Sequence, residues 1–131
     1  MKRTGSIYLI DTNIIVDLFA NDESLRHQLS VKKVVIPSVV VGELYFGAYA
    51  SARQKLRLRE LSEFIANYGV VYVDEETALF YGQIKAQLKA SGTPIPENDV
   101  WISALALQHN FIIATRDHHF DKPKKVKVVY W

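Results

Sequence analysis

Five short apolar runs punctuate this chain, and most of what lies between them carries helical periodicity. Ile7–Ile10, Val34–Ile36, Val70–Val73, Phe111–Ala114 and Val126–Tyr130 are three to five residues long and bounded by polar residues. That is the pattern of buried strands. Helical segments are expected at 13–20, from about Asp22 to Leu29, from Ser38 (a plausible N-cap) to Tyr49, at 53–68, at 77–90, and from Asn98 to the His109–Asn110 pair. Within 53–68, Leu58, Leu61, Ile65 and Tyr68 recur three or four apart on one face, as do Phe80, Ile84 and Leu88 in the next segment. Strands that alternate with helices or helix pairs run mainly parallel, because parallel neighbours need a crossover connection. The expected fold class is therefore α/β, a three-layer sandwich around a central, mainly parallel five-stranded sheet. Val126–Tyr130 belongs at a sheet edge, since Lys125 and Lys127 flank and interrupt it. With 131 residues and no repeat or low-complexity tract, a single domain over 1–131 is expected.

Composition narrows the chemistry. There is no cysteine, which excludes disulfides and thiolate metal sites. The opening MKRTGS is followed by only four apolar residues before Asp11. That is too few for a signal peptide or a membrane span, so a cytoplasmic location with no membrane partner is expected. A net charge of +2 is too small to argue a nucleic-acid partner by itself.

The informative residues are acids in apolar settings. Asp11 follows directly on the first strand, and Asp117 follows the strand "FIIA" by two residues, in "ATRD". In an open parallel sheet, ligands bind at the carboxyl ends of strands, near the point where strand order reverses. Both acids belong to that edge. Asp99 lies in the first turn of the helix that feeds the Asp117 strand, and a short return brings its start to the same edge. Glu43 is the only charge between Ser38 and Ala50, on a segment otherwise small, apolar or aromatic. Each acid alone has an ordinary explanation: a turn, a helix N-terminus, or a salt bridge to an arginine such as Arg53. Four on one edge repel one another, and either protons or a cation must neutralise them. Oxygen donors without cysteine suit a hard ion, Mg²⁺ or Mn²⁺. Such ions can activate water and stabilise a leaving oxygen in phosphodiester cleavage.

The segments "IDTNIIVDL", "PSVVVGELYFGA", "PENDVWISALAL" and "IIATRDHHF" occur in an order and spacing that resembles the PIN-domain ribonucleases. The VapC-type toxins of prokaryotic toxin–antitoxin pairs are the most similar members. The resemblance implies metal-dependent endonucleolytic cleavage of RNA, with Asp11, Glu43, Asp99 and Asp117 as the acidic quartet around Mg²⁺ or Mn²⁺. Thr12, Asn13 and Thr115 fall where relatives hold polar side chains that steady the acids. It also implies a homodimer and a small inhibitory antitoxin (VapB-like) whose C-terminal segment enters the pocket. Where many relatives have "IAA" after the third acid, this chain has Ile102-Ser103-Ala104.

Two other readings stay open at this level. One is a non-catalytic RNA- or protein-binding module that keeps the pocket for a partner. The other is an aspartyl-phosphate phosphatase or receiver domain, weakened because Asn13 stands where a second aspartate is needed. Arg53 and Arg57, four apart, are candidates for RNA phosphate contacts. Asp17 reads as a solvated helix residue, and Tyr45, Phe46 and Tyr49 as core or dimer contacts. His118-His119 reads as the start of a loop rather than as ligands, because a hydrated Mg²⁺ needs no imidazole.

Overall fold

The computed structural model describes residues 5–131; the first residues, on which the expectation about a leader partly rests, lie outside them. In chain order the elements are β1 (Ile7–Ile10), α1 (Thr12–Phe19), α2 (Glu23–Val31), β2 (Lys33–Pro37), α3 (Ser38–Tyr49), α4 (Gln54–Tyr68), β3 (Val70–Val71), α5 (Glu75–Ser91) and α6 (Glu97–His109). Then come β4 (Ile112–Thr115), a 3-10 turn (His118–Asp121) and β5 (Lys127–Tyr130). The strands form one sheet of order β3-β2-β1-β4-β5, with every pairing parallel. Crossovers between parallel strands are right-handed as a rule, which puts the helices joining β1 to β3 on one face and those between β3 and β4 on the other, making the three layers. The chain builds outward from β1 to β3 and then jumps back to the far side of β1. The switch point thus lies between β1 and β4, where Ile10 pairs with Ala114.

The sheet's centre is its most apolar part. Leu9, Ile10, Ile36, Ile113 and Ala114 are fully buried and pack with Ile14, Ile15, Val40, Ile102 and Leu105 from the helices. Each of the leucine, isoleucine and valine side chains contributes about 1.5–3 kcal/mol by leaving water. A second cluster, Ile84, Leu88, Val100 and Ala104, glues α5 to α6. Both of those helices end in a left-handed residue, Gly92 (φ +65°) and Asn110 (φ +58°). Asn110 is the closing residue that the sequence suggests.

Several boundaries differ from expectation. β3 holds two residues rather than four: Tyr72 is exposed, and the Val73 N–H donates to Ser38 Oγ (3.3 Å) instead of to a strand. Ser38 therefore does not cap α3. α5 starts earlier than Thr77, because Asp74 and Thr77 form a reciprocal capping box. Arg53 precedes α4 rather than lying within it. β5 is an edge strand, as its lysines suggest. Among the described residues, no helix is long and apolar enough to cross a membrane.

Candidate active site

Asp11 leaves β1 at its carboxyl end and becomes the capping residue of α1, its Oδ1 accepting from the Thr12 N–H at 2.8 Å. Its other oxygen accepts from Thr115 Oγ1 (2.8 Å) and Asn13 Nδ2 (3.3 Å). The Asp11 N–H in turn donates to Ala114 O, so β1 and β4 are still laddered where the carboxylate emerges. Thr115 is wholly buried and ties two acids together: it donates to Asp11 and accepts from the Asp117 N–H at 3.0 Å. Asn13 completes the knot by accepting from the Arg116 N–H at 3.2 Å.

Glu43 and Asp99 come from helices. Glu43 sits in α3 and accepts from Thr12 Oγ1 at 2.8 Å, a contact spanning 31 residues. Among the described residues no arginine pairs with it, so the salt-bridge explanation with Arg53 falls away. Asp99, in the first turn of α6, meets His119 Nδ1 at 2.9 Å, and Asp117 Oδ2 lies 3.0 Å from the same nitrogen. Glu43, Asp99, Asp117 and His119 line one open cleft of about 400 Å³ with Pro96, Glu97 and Asn98. Glu43 also borders a second, more apolar groove of about 390 Å³, lined by Val16, Phe19, Leu44, Ala48, Arg57 and Leu61 among others.

Crowding and burial show in the acidities. Burial raises the Asp11 carboxyl above the ordinary aspartate value; the Thr115 and Thr12 hydrogen bonds oppose this, while the charges of Glu43 and Asp117 add to it. Asp99 rises to about 6, again mainly by burial, with the His119 hydrogen bond opposing and Asp11 and Asp117 reinforcing. Burial and neighbouring carboxylates together hold both acids toward the protonated form.

The chain matches the family model described as "PIN domain" over residues 8–126. It belongs to the PIN-domain family. Within it, the chain is similar to Ribonuclease VapC1 of Haemophilus influenzae, at 30% identity over 130 residues, covering 95% of this chain and 96% of that one. It is also similar to the tRNA(fMet)-specific endonuclease VapC of Salmonella typhimurium, at 27% identity over 128 residues, covering 95% and 97%. Among solved structures, DNA-bound VapBC from Salmonella typhimurium is similar with a TM-score of 0.91 at 25% identity, covering 97% of this chain and 99% of that one.

Against that family frame, this PIN domain brings Asp11, Glu43, Asp99 and Asp117 to one edge of the sheet, with Thr12, Asn13 and Thr115 each bonded to at least one of the acids. Arg53 is exposed and lies outside the cleft, whereas Arg57 pairs with Glu60 at 2.7 Å and lines the apolar groove. Asp17 is not a free solvated residue: its carboxylate lies 2.8 Å from Arg116 Nη1, which also meets Asp22 at 3.0 Å. Phe46 and Tyr49 are exposed rather than core.

Two residues with a place here escaped the sequence reading. Arg116 stands between Thr115 and Asp117, yet its guanidinium turns away to Asp17, Asp22 and the Trp131 carbonyl. Three partners far apart in sequence gave no local signal. His119 is visible in the sequence but its direction is not: Asp117 caps the 3-10 turn, and that turn folds His119 back over Asp117 and Asp99.

Proposed function

We propose that this PIN domain, a single unit over 1–131, is a metal-dependent endoribonuclease acting as the toxin of a VapBC-type toxin–antitoxin pair. The observation that carries the reading is the buried Asp11, joined through Thr115 to Asp117 and close enough to Glu43 and Asp99 to feel their charges, beside the cleft that Glu43, Asp99 and Asp117 line. Its relatives' names, a ribonuclease and a tRNA(fMet)-specific endonuclease, support the same activity and make a structured RNA such as tRNA the first substrate to try.

The donor set fits a divalent cation: four carboxylates in one place, two of them pushed toward the protonated form by burial and, secondarily, by the neighbouring acids. Asp11, Asp99, Asp117 and Glu43 would hold Mg²⁺ or Mn²⁺. Bound there, the ion supplies charge against the phosphodiester oxygens and lowers the pKa of a water. The chain's own part is positional. Thr12, Asn13 and Thr115 hold Asp11 in one rotamer, and Thr12 fixes Glu43, so the acids are oriented before RNA arrives. Arg116 is drawn off by Asp17 and Asp22 and so does not pair with the acids of the basin. Of the basic residues, Arg57 is the better placed to meet RNA, since its groove shares Glu43 with the acidic cleft.

The same groove suits the antitoxin. Apolar walls ending at an acid match a short apolar segment carrying a basic residue, the kind of segment that the family resemblance implies. Exposed Phe46, Tyr49, Tyr72 and Leu79 offer apolar surface for a homodimer. The site of action is the cytoplasm, where the RNA is.

The test is RNA cleavage by purified protein with Mn²⁺, with EDTA, and by the Asp11→Asn variant. Sequencing the RNA ends made in cells then names the target. Metal-dependent cleavage lost in Asp11→Asn is expected. Full activity in that variant, or in EDTA, would discard the reading.

A further inference from the structure

His119 is held too firmly in the acidic cleft to be a passing loop residue. Its backbone N–H donates to Asp117 Oδ1 at 2.9 Å, which pins the turn to the acid it follows. The next residue, Phe120, is buried and anchors the turn in the core. On the other side, His118 pairs with Asp121 at 3.1 Å and stacks on Tyr130, whose hydroxyl donates to Asp121. The two histidines thus face opposite ways, and only His119 meets the site.

Its Nδ1 stands 2.9 Å from Asp99 Oδ2 and 3.0 Å from Asp117 Oδ2. Asp99, Asp117 and His119 each offer one donor atom within 4.8 Å of the others. Two ligands about 2.1 Å from a shared octahedral ion lie roughly 3 Å apart when at right angles. In the metal-free protein these contacts are hydrogen bonds from the imidazole, and they leave all three donor atoms near enough to close on one cation once the Nδ1 proton is released. Imidazole nitrogen is a poor donor for Mg²⁺, which prefers oxygen and sheds water reluctantly, but a good one for first-row transition ions.

We propose that His119 Nδ1 joins Asp99 and Asp117 as a direct ligand, which gives this chain a mixed nitrogen–oxygen site that selects Mn²⁺ over Mg²⁺. This rests on the metal-dependent reading above and adds to it the ion that the site takes and a ligand outside the acidic quartet.

The experiment uses the metals alone, without RNA. Mn²⁺ and Mg²⁺ are titrated calorimetrically into wild type, His119→Ala and His119→Gln, and the Mn²⁺ complexes are examined by pulsed electron paramagnetic resonance. Expected is a nitrogen coupling typical of bound imidazole in wild type and absent from both variants. Mn²⁺ affinity should fall tenfold or more in both variants, with Mg²⁺ affinity changing less than about threefold. His119→Gln keeps a donor for the carboxylates but lacks imidazole, so wild-type Mn²⁺ affinity in it would overturn the proposal. Mn²⁺ bound by wild type without nitrogen coupling would overturn it too, and leave the nuclease reading standing. No uptake of either ion by wild type would remove both. His119 is exposed enough that its replacement does not threaten folding; a melting curve for each variant checks this.

Discussion

Thr115 Oγ1 donates to Asp11 Oδ2 at 2.8 Å, joining residues 104 positions apart across the seam between β1 and β4. Of the contacts that favour the ionised Asp11, this one is the largest. Thr115→Val keeps the shape and deletes the donor. The Asp11 carboxyl should then rise further, so the acid limb of the cleavage pH profile moves to higher pH. Stability should drop by about 1–3 kcal/mol, because Asp11 Oδ2 loses the shorter of its two hydrogen bonds and the Asp117 N–H loses its acceptor. A pH–rate series and a melting curve check both, and an unmoved acid limb would mean that Asp11 ionisation does not govern activity.

Asp99 makes the metal-free protein sensitive to pH. Its carboxyl rises from 3.8 to about 6 on folding, so between those values the folded state binds the proton more tightly than the unfolded chain. Stability from this group is therefore highest below pH 3.8, falls as pH climbs through about 6, and stays low above. In EDTA at pH 7, Asp99→Asn should melt higher than wild type, and the gap should close near pH 4. Adding Mn²⁺ should reverse the order, since only wild type gains fully from binding. Parallel melting curves against pH, with and without the ion, read both effects.

Arg116 links the end of α1, the cap of α2 and the Trp131 carbonyl (2.6 Å from Nε) through one guanidinium. Arg116→Met should lower Tm by roughly 5 °C and loosen the segment that presents Asp117, weakening Mn²⁺ binding. Arg116→Lys should recover little, because an ammonium cannot serve three partners in a fixed fork. Full recovery by lysine in calorimetry and melting would show that charge alone matters there.

Ser103, buried in α6, has an Oγ without a partner among the described residues. Ser103→Ala should stabilise the protein by about 1–3 kcal/mol and leave cleavage unchanged. Denaturant titration reads the first and an RNA assay the second. A loss of stability would mean that the hydroxyl is satisfied in solution.

The sheet was legible because strand runs and helical faces differ in period, and the lysines around Val126 marked their strand as an edge. Asp11 and Asp117 could be set on one sheet edge because each follows a parallel strand directly. Asp99 needed only a short return. Glu43 stood out as a lone charge on an apolar helix. The direction of His119 was not legible, since it depends on one turn of 3-10 helix capped by Asp117. The Arg116 clamp was not legible either, because its acids lie 99 and 94 positions away, at Asp17 and Asp22. The extent of β3 depended on a competing acceptor, Ser38 Oγ, 35 positions earlier.

The strand order also fixes when the acidic basin is completed as the chain is made. β1 waits at the sheet's centre while α1 through α6 are synthesised, and β4 arrives only afterwards. A nascent chain carrying Asp11, Glu43 and even Asp99 still lacks Thr115 and Asp117. The basin is closed by an element made after the rest of the sheet: the acids of β1, α3 and α6 meet Asp117 only once β4 has taken its place beside β1.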